Sequence, residues 1–137
     1  MPDILEQNTQ SYWLASTDYP NLSPLQEEIK TDVCIVGGGI AGITTAYILA
    51  AAGCPTVLLE AGRIGYGVTG YTTAKITSQH QLIYDRLIKA LGIERAQAYA
   101  RANQSAIDWM ERVQADEGID CGFMRLPAYV YAEREKE

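Results

Sequence analysis

Residues 32–60 read DVCIVGGGIAGITTAYILAAAGCPTVLLE. A short apolar run, Val33 to Val36, leads into Gly37-x-Gly39-x-x-Gly42. The pattern Ile40 to Ala52 has helical character, and Gly53 closes it. A second apolar run, Thr56 to Leu59, ends on Glu60. Strand, glycines, helix, closing glycine and acid-terminated strand follow in the order of a β-α-β unit that binds a dinucleotide. A bare GxGxxG would deserve little weight. The five features in sequence raise it far above an ordinary glycine loop, although three consecutive glycines leave other registers of the motif open.

Each residue type has a physical task in that unit. Gly37 permits the tight turn out of the strand, and Gly39 presents no Cβ to an approaching pyrophosphate. Gly42 lets the helix pack close to the sheet. At the helix N-terminus, around Ile40 and Ala41, unpaired N–H groups and a partial positive charge face the phosphates. Glu60 stands 23 positions after Gly37, near the usual spacing of about 20. Its carboxylate is suited to accept hydrogen bonds from ribose hydroxyls and to repel a 2′-phosphate, which disfavours NADP.

The 137 residues fit one small domain. A formal net charge of −6 and the lack of a basic patch argue against a nucleic-acid partner. The N-terminal stretch has neither the basic nor the apolar region of a secretory signal, and no apolar run approaches the ~20 residues of a membrane span. A soluble cytoplasmic protein is therefore expected. Cys34, Cys54 and Cys121 lack CxxC spacing and read as reduced structural thiols, with Cys34 buried in the first strand. With His80 the one histidine, no metal site is expected.

Outside the β-α-β unit the readings are coarser. Residues 1–30 form a polar, proline-interrupted extension whose island Tyr12-Trp13-Leu14 is expected to pin it to the domain surface. A glycine- and threonine-rich loop follows Glu60, with Gly62, Gly65, Gly67 and Gly70. Two helices are expected, His80 to Leu91 and Glu94 to Glu117, stopped by Gly92 and Gly118. Leu82, Ile83, Leu87, Ile88 and Leu91 share a face of the first. Ile107, Met110 and Val113 form the core stripe of the second, flanked by Trp109. Ile119 to Met124 and Tyr129 to Ala132 read as two short strands of a hairpin. The final Glu-Arg-Glu-Lys-Glu is a charged, solvated run.

Gly37-x-Gly39-x-x-Gly42-x-x-x-Ala46, with Gly53, Glu60, Arg63 and Thr72-Thr73-Ala74-Lys75, resembles the start of a flavoprotein of the D-amino-acid oxidase superfamily, which includes glycine-oxidase-like enzymes. The run YTTAKITSQH and the upstream SYWLAST look closer still to bacterial FAD-dependent members that carry a C-terminal Rieske domain. The resemblance covers nearly the whole chain. It implies FAD, with Gly37, Gly39 and Gly42 at the pyrophosphate together with the helix start at Ile40 and Ala41. It implies Glu60, followed by Ala61, on the adenosine ribose and Arg63 near the adenosine end. Thr72, Thr73, Ala74 and Lys75 would approach the pyrophosphate and the flavin. The chain departs from the family pattern at Tyr66, where a small residue is usual, and at Tyr71, where a basic one is frequent.

The resulting expectation is an α/β chain with a Rossmann-like FAD-binding β-α-β unit, then helices, then a short antiparallel hairpin. Its divisions would be an extension over 1–30, the first FAD-domain segment over 31–118 and the opening of a substrate domain over 119–137. Family members are several times longer, so the chain reads as an incomplete domain, a fragment that self-associates or pairs with a missing segment. The implied reaction is hydride transfer from an amine- or amino-acid-like small-molecule substrate to flavin, with no catalytic residue assigned. Two alternatives stay open: a non-catalytic nucleotide-binding fragment needing a partner segment, and a fragment of an NAD-dependent dehydrogenase.

Overall fold

The structure, a computed structural model, describes residues 10–131. The chain divides into two compact units, Met1–Thr73 and Ala74–Glu137. Residues 1–9, Ala132 and the charged terminal run lie outside the described residues.

The first unit contains helix α1 (Tyr12–Ser16), strand β1 (Val33–Val36), helix α2 (Ile40–Ala51), strand β2 (Thr56–Leu59) and a 3-10 turn (Thr69–Tyr71). The strands pair in parallel, with Val33 opposite Thr56 and Val36 opposite Leu59. Backbone bonds extend the ladder at both ends: Val33 N–H donates to Pro55 O at 3.2 Å and Gly37 N–H to Leu59 O at 2.7 Å. Parallel strands need a crossover, and α2 supplies it, lying against both strands. The expected β-α-β unit is thus present at the expected boundaries, to within one residue at the end of α2.

Helix and sheet meet most closely at Gly42. A Cβ there would stand 1.9 Å from Gly37 O, with Ile35 Cγ2 at 3.4 Å. Gly37 itself turns the chain at φ +106°, a left-handed conformation that glycine adopts without a steric penalty. These two positions settle the register among the consecutive glycines: Gly37 makes the turn and Gly42 makes the close approach.

Ile35 faces α2, so the alternate residues of β1 face the other way. Cys34 is accordingly exposed, and Val36 is 85% exposed. This corrects the expectation of a buried thiol at Cys34. The helix covers one face of the two-stranded sheet, and on the other Cys34 and Val36 lie exposed. All three cysteines are free thiols, Cys54 being partly covered and Cys121 exposed.

The second unit is a pair of packed helices, α3 (Ile83–Leu91) and α4 (Ile93–Asp116), parted by Gly92 at φ +85°. Helix α3 starts three residues later than the sequence suggests. Gln81 holds φ +53°, a conformation that a right-handed helix cannot pass through, so His80, Gln81 and Leu82 fall before it. Tyr84 and His80 meet Tyr99 of α4 edge-on, with ring centroids 6.2 and 6.3 Å apart. Ile107, Trp109, Met110 and Val113 are half-buried along α4, and Ala96, at 3% exposure, is its buried residue.

The expected hairpin is not formed. Ile119 to Met124 and Tyr129 to Tyr131 hold no strand. The stretch after α4 folds back on the helix instead. Ile119 N–H donates to Gln114 O at 2.9 Å, Gln114 Nε2 donates to Ile119 O at 2.8 Å, and Arg125 bridges Asp108 at 2.5 Å and Glu111 at 2.7 Å. Arg125 holds the Asp108 carboxyl below the usual carboxylate range. A two-stranded hairpin without a covered face is marginal in water, and the helix offers this segment a better set of partners.

No helix among the described residues is long and apolar enough to cross a membrane. Replacing Gly42 by alanine should cost about 3 kcal/mol or more, because the new methyl group has no room against a backbone carbonyl. Gly62→Ala should be close to neutral, since a Cβ there meets nothing nearer than Glu60 Oε1 at 3.5 Å. Urea unfolding followed by circular dichroism checks the pair, and equal stability of the two variants would refute the close-packing account.

Candidate dinucleotide site

The site is assembled around the turn between β1 and α2. Gly38, at the centre of that turn, is buried. Its N–H donates to Glu60 Oε2 at 2.6 Å, and the other carboxylate oxygen, Oε1, accepts from Gly62 N–H at 2.8 Å. Gly38 O in turn accepts from Gly65 N–H at 2.8 Å. The end of β2 and the loop after it are therefore tied directly to the glycine-rich turn.

These amides act on the charge of Glu60. The Gly38 N–H, then the Gly62 N–H, with a smaller contribution from Ala61, hold its carboxyl below the usual carboxylate range, against a modest opposing effect of desolvation. The side chain is an ionised acceptor. A carboxylate offers about four lone-pair positions, so acceptor capacity remains after the two backbone bonds are made.

The N-terminus of α2 faces the same loop. Ile40 N–H donates to Thr69 Oγ1 at 3.0 Å. The helix supplies no partner for the amides of Ala41 and Gly42 in its first turn. A Cβ on Gly39 would meet Thr69 Oγ1 at 3.2 Å and no other heavy atom within 4 Å. The space over Gly39 is thus kept open by the absence of a side chain, as close approach of a diphosphate requires. Donor amides, a partial positive charge and an uncrowded backbone fit an anionic group here.

Arg63 lies in the loop after Glu60, where its Nη1 donates to the Tyr66 hydroxyl oxygen, Oη, at 2.9 Å and its guanidinium carbon stands 4.9 Å from the Tyr66 ring centre. Tyr66, the departure from the family pattern, therefore packs: it meets Arg63 on one side and Tyr19 edge-on at 5.5 Å on the other. Thr72 and Thr73 follow the 3-10 turn in the same unit. Ala74, which holds φ +58°, and Lys75 belong to the second unit. The structure thus brings Gly37, Gly39, Ile40, Ala41, Gly42, Glu60, Ala61, Arg63, Thr72 and Thr73 into one unit.

Two residues escaped sequence reasoning, Gly38 and Thr69. Gly38 is the x of the motif and carries no pattern signal. Thr69 sits in a loop without periodicity, so its place on the Ile40 amide is visible only after folding. No cluster of three or more His, Cys, Asp or Glu that could hold a metal ion occurs among the described residues.

Comparison with known proteins agrees with this geometry. Residues 32–137 match the family model described as DAO, FAD dependent oxidoreductase. The chain belongs to this family. FAD is the family's cofactor, and the β1-α2-β2 unit is its Rossmann-like signature. The chain is also similar to YhfW of Bacillus subtilis, described as a putative Rieske 2Fe-2S iron-sulfur protein: 45% identity over 126 residues, covering 92% of this chain and 25% of that one. It is 38% identical over 93 residues to gamma-glutamylputrescine oxidoreductase of Escherichia coli, covering 67% of this chain and 22% of that one. A probable oxidoreductase, OrdL, of Haemophilus influenzae is 25% identical over 121 residues, covering 88% of this chain and 28% of that one. The chain spans about a quarter of the length of these curated relatives. No solved structure matches it at a significant level. The expected kinship with flavoprotein oxidoreductases, Rieske-bearing members among them, is found.

The depressed titration of Glu60 has a testable consequence. Its folded-state value lies below the unfolded one, so its contribution to stability is complete above the unfolded value. That contribution is lost as the pH falls below ~4.3 and through the depressed value. The amide resonances of Gly38 and Gly62 should titrate together in that acid range and stay flat in Glu60→Gln. A Gly38 resonance indifferent to acid in the unsubstituted chain would show that the tether is absent.

Proposed function

We propose that the chain is the FAD-binding portion of an oxidoreductase that passes a hydride from an amine- or amino-acid-like substrate to flavin. The observation that carries this reading is the α2 N-terminus, open over Gly39 and bordered by an ionised Glu60 at the end of β2. The FAD diphosphate would lie against Gly37, Gly39 and the amides of Ala41 and Gly42. The acceptor capacity left on Glu60 would take the adenosine ribose hydroxyls, and its charge would reject a 2′-phosphate. Arg63, held beside Tyr66, would border the adenosine end. Thr72, Thr73, Ala74 and Lys75 would continue toward the pyrophosphate and the flavin, as the family resemblance implies.

FAD supplies the hydride acceptor of the reaction. The part of this chain is binding and orientation, and no described residue is assigned as acid or base. The substrate class rests on kinship with D-amino-acid-oxidase-type proteins and on the similarity to a gamma-glutamylputrescine oxidoreductase. In equilibrium titrations FAD should bind more tightly than NAD or NADP. Glu60→Arg should narrow the discrimination against NADP. Tighter NAD binding would refute the flavin reading.

The apolar surface left bare favours a partner segment or a second copy. Helix α2 has no buried residue, with Ile40 at 60% exposure and Ile43, Tyr47 and Ile48 exposed beside it. A helix apolar on all sides is normally enclosed, and patches of this kind drive association. A flavin oxidase also encloses its substrate to orient the donor carbon and exclude water. The chain alone should therefore self-associate and release no substantial hydrogen peroxide from a panel of amines and amino acids. Light scattering and a peroxide assay check the two halves, and a monodisperse monomer with robust FAD-dependent turnover would contradict both.

A further inference from the structure

We infer that residues 12–19 form a strap that positions the cofactor loop, and that Trp13 is its positioning residue. The inference rests on the reading that FAD binds at the glycine-rich turn. Four contacts define the strap, all within the first unit. Trp13 Nε1 donates to Thr72 O at 2.7 Å. Leu14, 7% exposed and the buried residue of α1, packs on Gly70, where a Cβ would stand 2.7 Å from Leu14 Cδ2. Tyr19 packs on Gly65, where a Cβ would stand 2.5 Å from its ring. The Tyr19 ring also meets Tyr66 edge-on.

The loop held at these points is itself bound to the turn. Gly65 N–H reaches Gly38 O, and Thr69 Oγ1 accepts from the first amide of α2. Strap, loop and turn are thus one contiguous set of contacts. Trp13 holds Thr72, the first residue of the threonine pair, by its carbonyl. That bond fixes the backbone where the loop leaves the 3-10 turn. Because coupling between two binding events is reciprocal, a strap that favours the FAD-receptive loop must be held more firmly once FAD is bound.

Trp13→Phe keeps an aromatic ring and removes the indole donor. Loss of one hydrogen bond that acts through the loop should weaken FAD binding by about two- to tenfold. Tryptic cleavage after Arg63 and Lys75, which flank the loop, should quicken, while cleavage after Arg86 in α3 and Arg101 in α4 should not. Tyr19→Leu, which loosens the Gly65 contact and spares Trp13, should act in the same direction. In a Trp109→Phe background Trp13 is the one remaining tryptophan of the chain's two. FAD should then lower the access of acrylamide to it, measured by emission lifetime, an effect that a merely structural tryptophan would not show.

Unaltered cleavage at Arg63 and Lys75 in Trp13→Phe overturns the strap. Faster cleavage there with unchanged FAD affinity overturns its positioning role. Should Trp13→Phe also expose Arg86 and Arg101, the same two readings on Tyr19→Leu decide the matter. If the unsubstituted chain takes up no FAD, that failure belongs to the binding reading, and the cleavage pattern alone upholds or overturns the strap.

Discussion

The carboxylate of Glu60 organises the first unit. It stands at the end of β2 and takes the amides of Gly38 and Gly62, one on each oxygen. Without it, the buried Gly38 amide would lose its partner, at a cost larger than the net value of an ordinary hydrogen bond. The loop after β2 would also lose the bond at Gly62 that starts its path back to the turn. Everything further along that path, Gly65 on Gly38 and Thr69 on Ile40, depends on the loop setting out in this direction. The negative charge that the proposal turns toward the adenosine ribose is thus the same charge that shapes the loop around it.

The close contact of Gly42 with the Gly37 carbonyl is the second constraint. It sets the distance between helix and turn, and with it the height of the α2 amides above the sheet. The two constraints act on different atoms of one short turn. Gly37 and Gly42 shape its backbone from within, and Glu60 clamps it from the neighbouring strand. A binding surface made of backbone amides can be held rigid in this way without any side chain entering the space that the ligand would use.

The first unit carries much apolar surface for its size. The outer face of β1, with Cys34 and Val36, and most of α2 are exposed. A short parallel sheet ordinarily has both faces covered. The matched segments cover 22–28% of the curated relatives' lengths, and the flavoprotein proposal attaches covering elements to these surfaces.

The sequence by itself determined the β-α-β unit, its glycines and its acid, because each is enforced locally. β-Branched runs favour strands, an unbroken helical pattern favours α2, and the turn at Gly37 needs a residue without a Cβ. It also marked Tyr12-Trp13-Leu14 as an anchoring island, and Leu14 and Trp13 do hold the glycine–threonine loop. Tertiary structure alone decided the rest. A strand pattern over residues 119–131 yields to α4, because Arg125 finds Asp108 and Glu111 across the fold. The side of β1 on which Cys34 lies depends on which face the helix covers, and alternation cannot choose between faces. Gly38 and Thr69 take their places through bonds spanning 22 and 29 residues. Such bonds form where separate segments meet in space, and no short-range pattern encodes that meeting.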